Sequence, residues 1–206
     1  MASQNTLYYI HDPMCSWCYA FRQSLQEIQA ALSASIRLKK IVGGLAQDSD
    51  IPMDQKTQEY VQKNWREIEK RVKNTHFNYA FWTKTTPIRS TYPACRAVLS
   101  AKQQGLEYED QMIHAIQDGY YQQAQNPSLT STLIEFAANL KLDLAKFKRD
   151  LASREIQQQL SDDIQFSQSI GARSFPSLIL LRENQYHAIS IDYNDSQHSI
   201  KFLQQD

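Results

Sequence analysis

Glycine and proline are scarce in this sequence, 5 and 6 of 206 residues, which excludes collagen-like and low-complexity classes. Charge of one sign is equally lacking. Twenty-two basic side chains face 22 acidic ones, for a formal net charge of zero, and the basic excess of a dedicated nucleic-acid binder is absent. No run of about 18 apolar residues exists, so no segment reads as a membrane span. Cysteine occurs only 3 times, an odd count too low for a disulfide-stapled secreted scaffold. What is present is an apolar share of 42%, ample for a folded core. Met1–Asn5 is polar and Thr6–Ile10 already reads as a strand, leaving no room for a removable leader. The expectation is a cytoplasmic protein whose thiols are kept reduced, so that a close cysteine pair is catalytic, redox-active or metal-binding.

The order of elements is the next signal. Residues 6–11 are β-branched and aromatic and stop at Asp12-Pro13, a turn signal. From Cys15 to about Ser33, Trp17, Phe21, Leu25, Ile28 and Leu32 recur at three- and four-residue spacing, which predicts one amphipathic helix. Ile36–Val42 reads as a second strand closed by Gly43-Gly44, completing a βαβ unit with parallel strands. The middle is helical throughout: 55–73, 93–104, 107–122, 131–140, 144–151 and 155–170, the last stopped by Gly171. Only Asn126–Leu129 resembles a flexible connector. Strands return at 177–182 and 186–191, joined by a turn at 182–185, and a helix over 196–205 closes the chain. The predicted class is α/β. A thioredoxin-like fold, residues 1–50 and 166–206, is split by an all-helical insertion, residues 51–165, between its βαβ and ββα halves.

Cys15-Ser16-Trp17-Cys18 falls where the first strand turns into the first helix. Unpaired N–H groups and the helix dipole favour an anion there. Such positions lower a cysteine pKa from about 8.5 to roughly 3.5–7.5. Cys18 follows one helical turn later, so Cys15 would attack a disulfide and Cys18 would resolve the adduct. Two readings compete with this one: a pair of ordinary buried thiols, and a zinc site. Zinc needs two more ligands, which only a recruitment of Cys95 with His11 or His76 would supply. No metal and no cofactor is expected.

Four segments, in order, carry a resemblance: His11-Asp12-Pro13-Met14-Cys15-Ser16-Trp17-Cys18-Tyr19-Ala20-Phe21, Val42-Gly43-Gly44-Leu45, Tyr92-Pro93-Ala94-Cys95-Arg96-Ala97-Val98, and Gly171-Ala172-Arg173-Ser174-Phe175-Pro176-Ser177-Leu178. Together they resemble the DsbA family of thiol–disulfide oxidoreductases, most closely its FrnE-like branch. The resemblance implies that Pro176 is a cis-proline facing the cysteine pair, that it leaves the Phe175 backbone free to pair with an extended substrate, and that it keeps metal from the thiols. Taken alone, Pro176 is equally a trans proline that starts a strand. Phe175 and Ser174 depart from the family's usual residues and would reshape a substrate groove, to which Trp17 also contributes. Ser16-Trp17 lacks a histidine between the cysteines, which argues against a strong oxidant and leaves the direction of exchange open.

The implied activity is exchange of a Cys15–Cys18 dithiol with disulfide- or thiol-containing proteins or small molecules, with glutathione or thioredoxin as candidate electron donors and neither nucleic acid nor membrane as a partner. Two alternatives belong to other classes: a glutathione-dependent isomerase of the 2-hydroxychromene-2-carboxylate type, whose members generally lack a resolving cysteine, and a non-catalytic chaperone or peptide-binding module. Cys95 reads as a small buried hydrophobe. His11 and Asp12 read evenly as tuners of the nucleophile or as turn formers. His76, Phe77, Tyr79, Phe81 and Trp82 read as core or as a pocket wall.

Overall fold

The computed structural model describes residues 5–204. The polar stretch before Asn5 and the last residue of the expected closing helix, Gln205, lie outside the described residues. The first strand, β1 (Asn5–His11), is followed by two short helices, α1 (Ser16–Ala20) and α2 (Arg22–Ala30), and by β2 (Ile36–Val42). Seven helices come next: α3 (Gln55–Arg71), α4 (Phe81–Lys84), α5 (Tyr92–Lys102), α6 (Glu107–Tyr121), α7 (Thr130–Asn139), α8 (Leu144–Leu151) and α9 (Arg154–Ser169). The chain closes with β3 (Ser177–Arg182), β4 (Gln185–Ile189) and α10 (Gln197–Gln204).

The strands form one sheet in the order β2-β1-β3-β4, with β1 parallel to β2 and antiparallel to β3, and β3 antiparallel to β4. The parallel β1–β2 pair and the succession of βαβ, helices and ββα are those expected from the sequence for a thioredoxin-like α/β fold. Successive side chains of a strand point to opposite faces, and both faces of β1 are covered. Leu7 and Tyr9 pack with Phe21, Ile28 and Leu203, while Tyr8 and Ile10 pack with Ile41, Ile170 and Phe166 of α9. The largest cluster centres on the fully buried Trp65 and joins α3, α5, α6, α7 and α8 to Met14, Ala20 and Val42 of the sheet-bearing half. The helical segment thus shares its core with the residues that flank Cys15.

Several elements differ from expectation. The single helix expected over residues 15–33 is interrupted at Phe21, with no Pro or Gly to signal it. Phe21 sits at φ −81°, ψ −6°. Its N–H still reaches the Trp17 carbonyl at 3.0 Å, and its own carbonyl accepts from Leu25 at 2.9 Å, so the ladder loosens without breaking. The short helix α4 had no periodic signal. Asn126 is no flexible connector: it is buried and its side chain holds the Thr86 carbonyl at 2.9 Å and the Ser128 N–H at 3.1 Å. The strand expected over 186–191 runs Gln185–Ile189 instead, because Glu183 and Asn184 both adopt positive φ in a two-residue hairpin turn. Helix α9, by contrast, matches the expected span closely at Arg154–Ser169, and Gly171 then takes φ +88° where the helix was expected to stop. Among the described residues no helix is long and apolar enough to cross a membrane.

Candidate active site

Cys15 is the N-cap of α1, with extended backbone at φ −82°, ψ 119°. Its N–H donates to the Asp12 carbonyl at 3.0 Å, and its carbonyl accepts from Tyr19 at 3.0 Å. Its thiol donates to the carbonyl oxygen of Phe175 at 3.6 Å, a contact across 160 positions of sequence. The Phe175–Pro176 bond is cis. All three cysteines are free thiols. Cys15 keeps 7% of its surface exposed and Cys18 keeps 1%. Burial pushes the Cys18 thiol well above its usual range, and the hydrogen bond it donates to the neighbouring Cys15 sulfur adds to the effect; a backbone hydrogen bond from Asp12 opposes it.

The structure brings the expected site residues together. A cavity of about 330 Å³ opens beside Cys15, lined by Trp17, Ser174 and Phe175 from the sheet-bearing half and by Trp65, Arg89 and Tyr120 from the helical segment. A shallower cavity of about 420 Å³ adjoins Trp17, Ser174, Phe175 and Pro176, with Tyr193 on its wall. Trp17 packs on Tyr193 with ring centroids 5.0 Å apart. A third cavity, about 500 Å³, approaches Cys18 from the opposite side, past Tyr9, Lys40, His114 and Gln117. Gly43 explains how Phe175 lies so close: a Cβ there would meet the Phe175 ring at 1.9 Å.

Asp12 resolves the even reading of the turn. It is fully buried. One carboxylate oxygen accepts from the Met14 N–H at 2.8 Å. The other accepts from the Leu45 N–H at 2.7 Å, the Thr91 hydroxyl at 2.6 Å and the Cys95 thiol at 3.5 Å. Burial raises its pKa and these four donors pull it back down. Thr91, the N-cap of α5, makes no side-chain cap because its hydroxyl is spent on Asp12. Cys95 is therefore a buried thiol with a polar partner rather than a plain hydrophobe, and burial together with Asp12 raises its pKa. Asp12 fastens the active-site turn to the end of β2 and to the helical segment. Met14 apart, its partners stand 33 to 83 residues away in sequence, so no local pattern announces them.

The aromatic cluster is core and wall at once. Phe77 stacks on Trp65 at 4.8 Å, and Trp65 lines the cavity beside Cys15. Tyr121, which sequence reasoning missed, packs on Phe77 at 5.3 Å and donates its hydroxyl to the Met14 carbonyl at 2.7 Å, next to Cys15. His76 stays on the surface.

A family model described as thioredoxin matches residues 8–201, nearly the whole described chain. The chain belongs to the thioredoxin family. Its fold is similar to that of a candidate protein disulfide isomerase from Nitrosomonas europaea, with a TM-score of 0.83 at 24% identity over 98% of this chain and 96% of that one. It is also similar to the cytosolic disulfide reductase DsbM from Pseudomonas aeruginosa, with a TM-score of 0.78 at 20% identity over 97% of each chain. The fold is also similar to that of the oxidoreductase DsbA from Xylella fastidiosa, with a TM-score of 0.65 at 13% identity over 98% of this chain and 84% of that one. In sequence it resembles the ClpXP adapter protein SpxH of Halalkalibacterium halodurans, 24% identical over 86% of this chain. The chain spans 59% of that relative's length.

Proposed function

We propose that this thioredoxin-family protein is a thiol–disulfide oxidoreductase in which Cys15 attacks and Cys18 resolves. One observation carries the reading: the Cys15 thiol faces the Phe175 carbonyl at the mouth of a cavity, with the more deeply buried Cys18 in contact behind it. The Cys15 thiolate attacks one sulfur of a substrate disulfide, forming a mixed disulfide and releasing a thiolate. Cys18 then loses its proton and attacks the Cys15 sulfur, closing the Cys15–Cys18 disulfide and freeing the second substrate thiol. Two electrons leave the protein, and a dithiol or glutathione restores it. Phe175, Ser174, Trp17 and Pro176 form the substrate-side wall, and the 51–165 insertion supplies the facing one.

Glutathione or thioredoxin are the electron donors in this reading, and the site of action is cytoplasmic. Glutathione and the cytoplasmic site are supported by the likeness to a protein named a cytosolic disulfide reductase, which is also known in a structure with glutathione. Thiol trapping in growing cells tests the location: a largely oxidised pair speaks against it. For the mechanism, Cys15→Ser should abolish insulin reduction with dithiothreitol. Cys18→Ser should accumulate a covalent substrate adduct, and Cys95→Ser should leave exchange intact. Faster alkylation of Cys18 than of Cys15 would reverse the roles. A second reading, a polypeptide-binding adapter, is favoured by the name of the curated relatives. It predicts substrate binding that survives the Cys15→Ala/Cys18→Ala double variant.

A further inference from the structure

The protein has no net charge, yet the cavity beside Cys15 does. Its charged lining consists of Arg89 and Arg173, with no carboxylate among the lining residues. Arg22, Arg71, Arg96, Lys40, Lys102 and Lys146 are each paired with a carboxylate, whereas neither Arg89 nor Arg173 is, among the described residues. The two come from different segments of the chain. Arg89 lies in the helical segment just before α5, and Arg173 lies two residues before Phe175. Both side chains are exposed at the cavity rim. At about 330 Å³, the cavity sits near the small end of ligand sites, roughly 300–1,000 Å³.

We propose that the groove selects low-molecular-weight disulfides bearing carboxylates close to the sulfur atoms. This deepens the reading of Cys15 as the attacking thiol and rests on it. Free guanidiniums present a fixed fork of donors that matches a carboxylate in a bidentate pair. With one from each segment, both halves of a symmetrical dianion are engaged while Cys15 attacks the sulfur between them. The Cys15 Sγ–S bond forms as the disulfide S–S bond breaks, and the leaving thiolate departs carrying its carboxylate. Attack by Cys18 releases the second half. Two electrons pass from the dithiol to the disulfide, and the two thiolates take up the two protons the cysteines lose. The same positive pair draws the dianion to the groove from solution, an attraction that salt screens.

The test uses the full-length reduced protein in single turnover against two probes of matched size, 3,3′-dithiodipropionate and its uncharged bis-amide. Rates are normalised to those of a free model thiol. The dianion should react about 10-fold faster than the amide, and raising salt from 0.01 to 0.5 M should erase most of that advantage. Arg89→Gln and Arg173→Gln should each cut the dianion-to-amide ratio several-fold. The double variant should bring the ratio close to one, and lysine at either position should retain most of it. Circular dichroism and urea unfolding establish that the variants remain folded. A bis-amide that reacts through Cys15 as fast as the dianion, or a ratio unmoved in the double variant, overturns the proposal and leaves disulfide exchange standing. Reaction of neither probe through Cys15 overturns both. A cystine-linked peptide rich in aspartate that outpaces dithiodipropionate refutes the size limit.

Discussion

His11 offers the sharpest test of how the buried end of β1 behaves. Its ring is 1% exposed, and both ring nitrogens lack a hydrogen-bond partner among the described residues. It stacks on Tyr9, centroids 5.0 Å apart and planes within 1°. Burial, and then the charges of Lys40 and Lys102, hold its pKa down from 6.5 to about 3. The unfolded chain therefore takes up a proton below pH 6.5 that the folded chain refuses. The stability at stake is fully present above pH 6.5 and is lost as pH falls toward 3. The full gap is worth about 4–5 kcal/mol, of which about 2 kcal/mol is gone by pH 5. His11→Phe keeps a stacked ring and removes the proton site. The fuller ring alters packing by an amount that does not depend on pH, so the informative quantity is the difference between variant and parent at two pH values. In urea unfolding, the variant should gain about 2 kcal/mol on the parent between pH 7.5 and pH 5. It should also gain at neutral pH, since an unpaired buried donor or acceptor costs about 1–3 kcal/mol. A difference that stays flat from pH 7.5 to 5 would refute the picture of a ring buried in its neutral form.

Two further substitutions probe the frame of the site. Asp12→Asn preserves shape but can offer its single carbonyl oxygen to only one set of donors, so its NH2 must face either the Met14 N–H or the Leu45 N–H; urea unfolding should register a loss of about 1–3 kcal/mol, and an unchanged midpoint would mean that the carboxylate is not the tie described. Gly43→Ala drives a methyl into the Phe175 ring and must displace it from Cys15, so disulfide exchange should fall at least several-fold while the alkylation rate of Cys15 holds or rises; unaltered turnover would show that Phe175 does not shape the groove.

Most of the frame was legible because period and punctuation agree with the fold. The β-branched runs at 6–11 and 36–42, the Pro93 entry to α5 and the Gly171 stop of α9 are local signals with local causes. The cysteine pair was legible for the same reason, since its spacing and its place at a strand-to-helix junction are visible in four consecutive residues. The interruption at Phe21 was not, because a side chain that must reach Tyr9 and Tyr193 sets the backbone there, and neither partner is a neighbour in sequence. Cys95 shows the same limit. On an Ala- and Val-rich face it reads as apolar, and only folding reveals the carboxylate 83 positions away that it meets. Arg89 carried no motif at all; its proposed role rests on its lack of a paired carboxylate among the described residues.

The contact between the Cys15 thiol and the Phe175 carbonyl spans 160 positions, and this has a consequence during synthesis. A chain made at about 5–20 residues per second needs on the order of 10–30 s to produce the partner after the cysteine. Throughout that interval Cys15 and Cys18 belong to a nascent polypeptide with neither groove nor wall, two thiols open to any disulfide nearby. A newly made copy is thus vulnerable to capture by the very kind of molecule that the finished protein is proposed to act upon, and its yield should depend on how reducing its surroundings are while the ribosome is still at work.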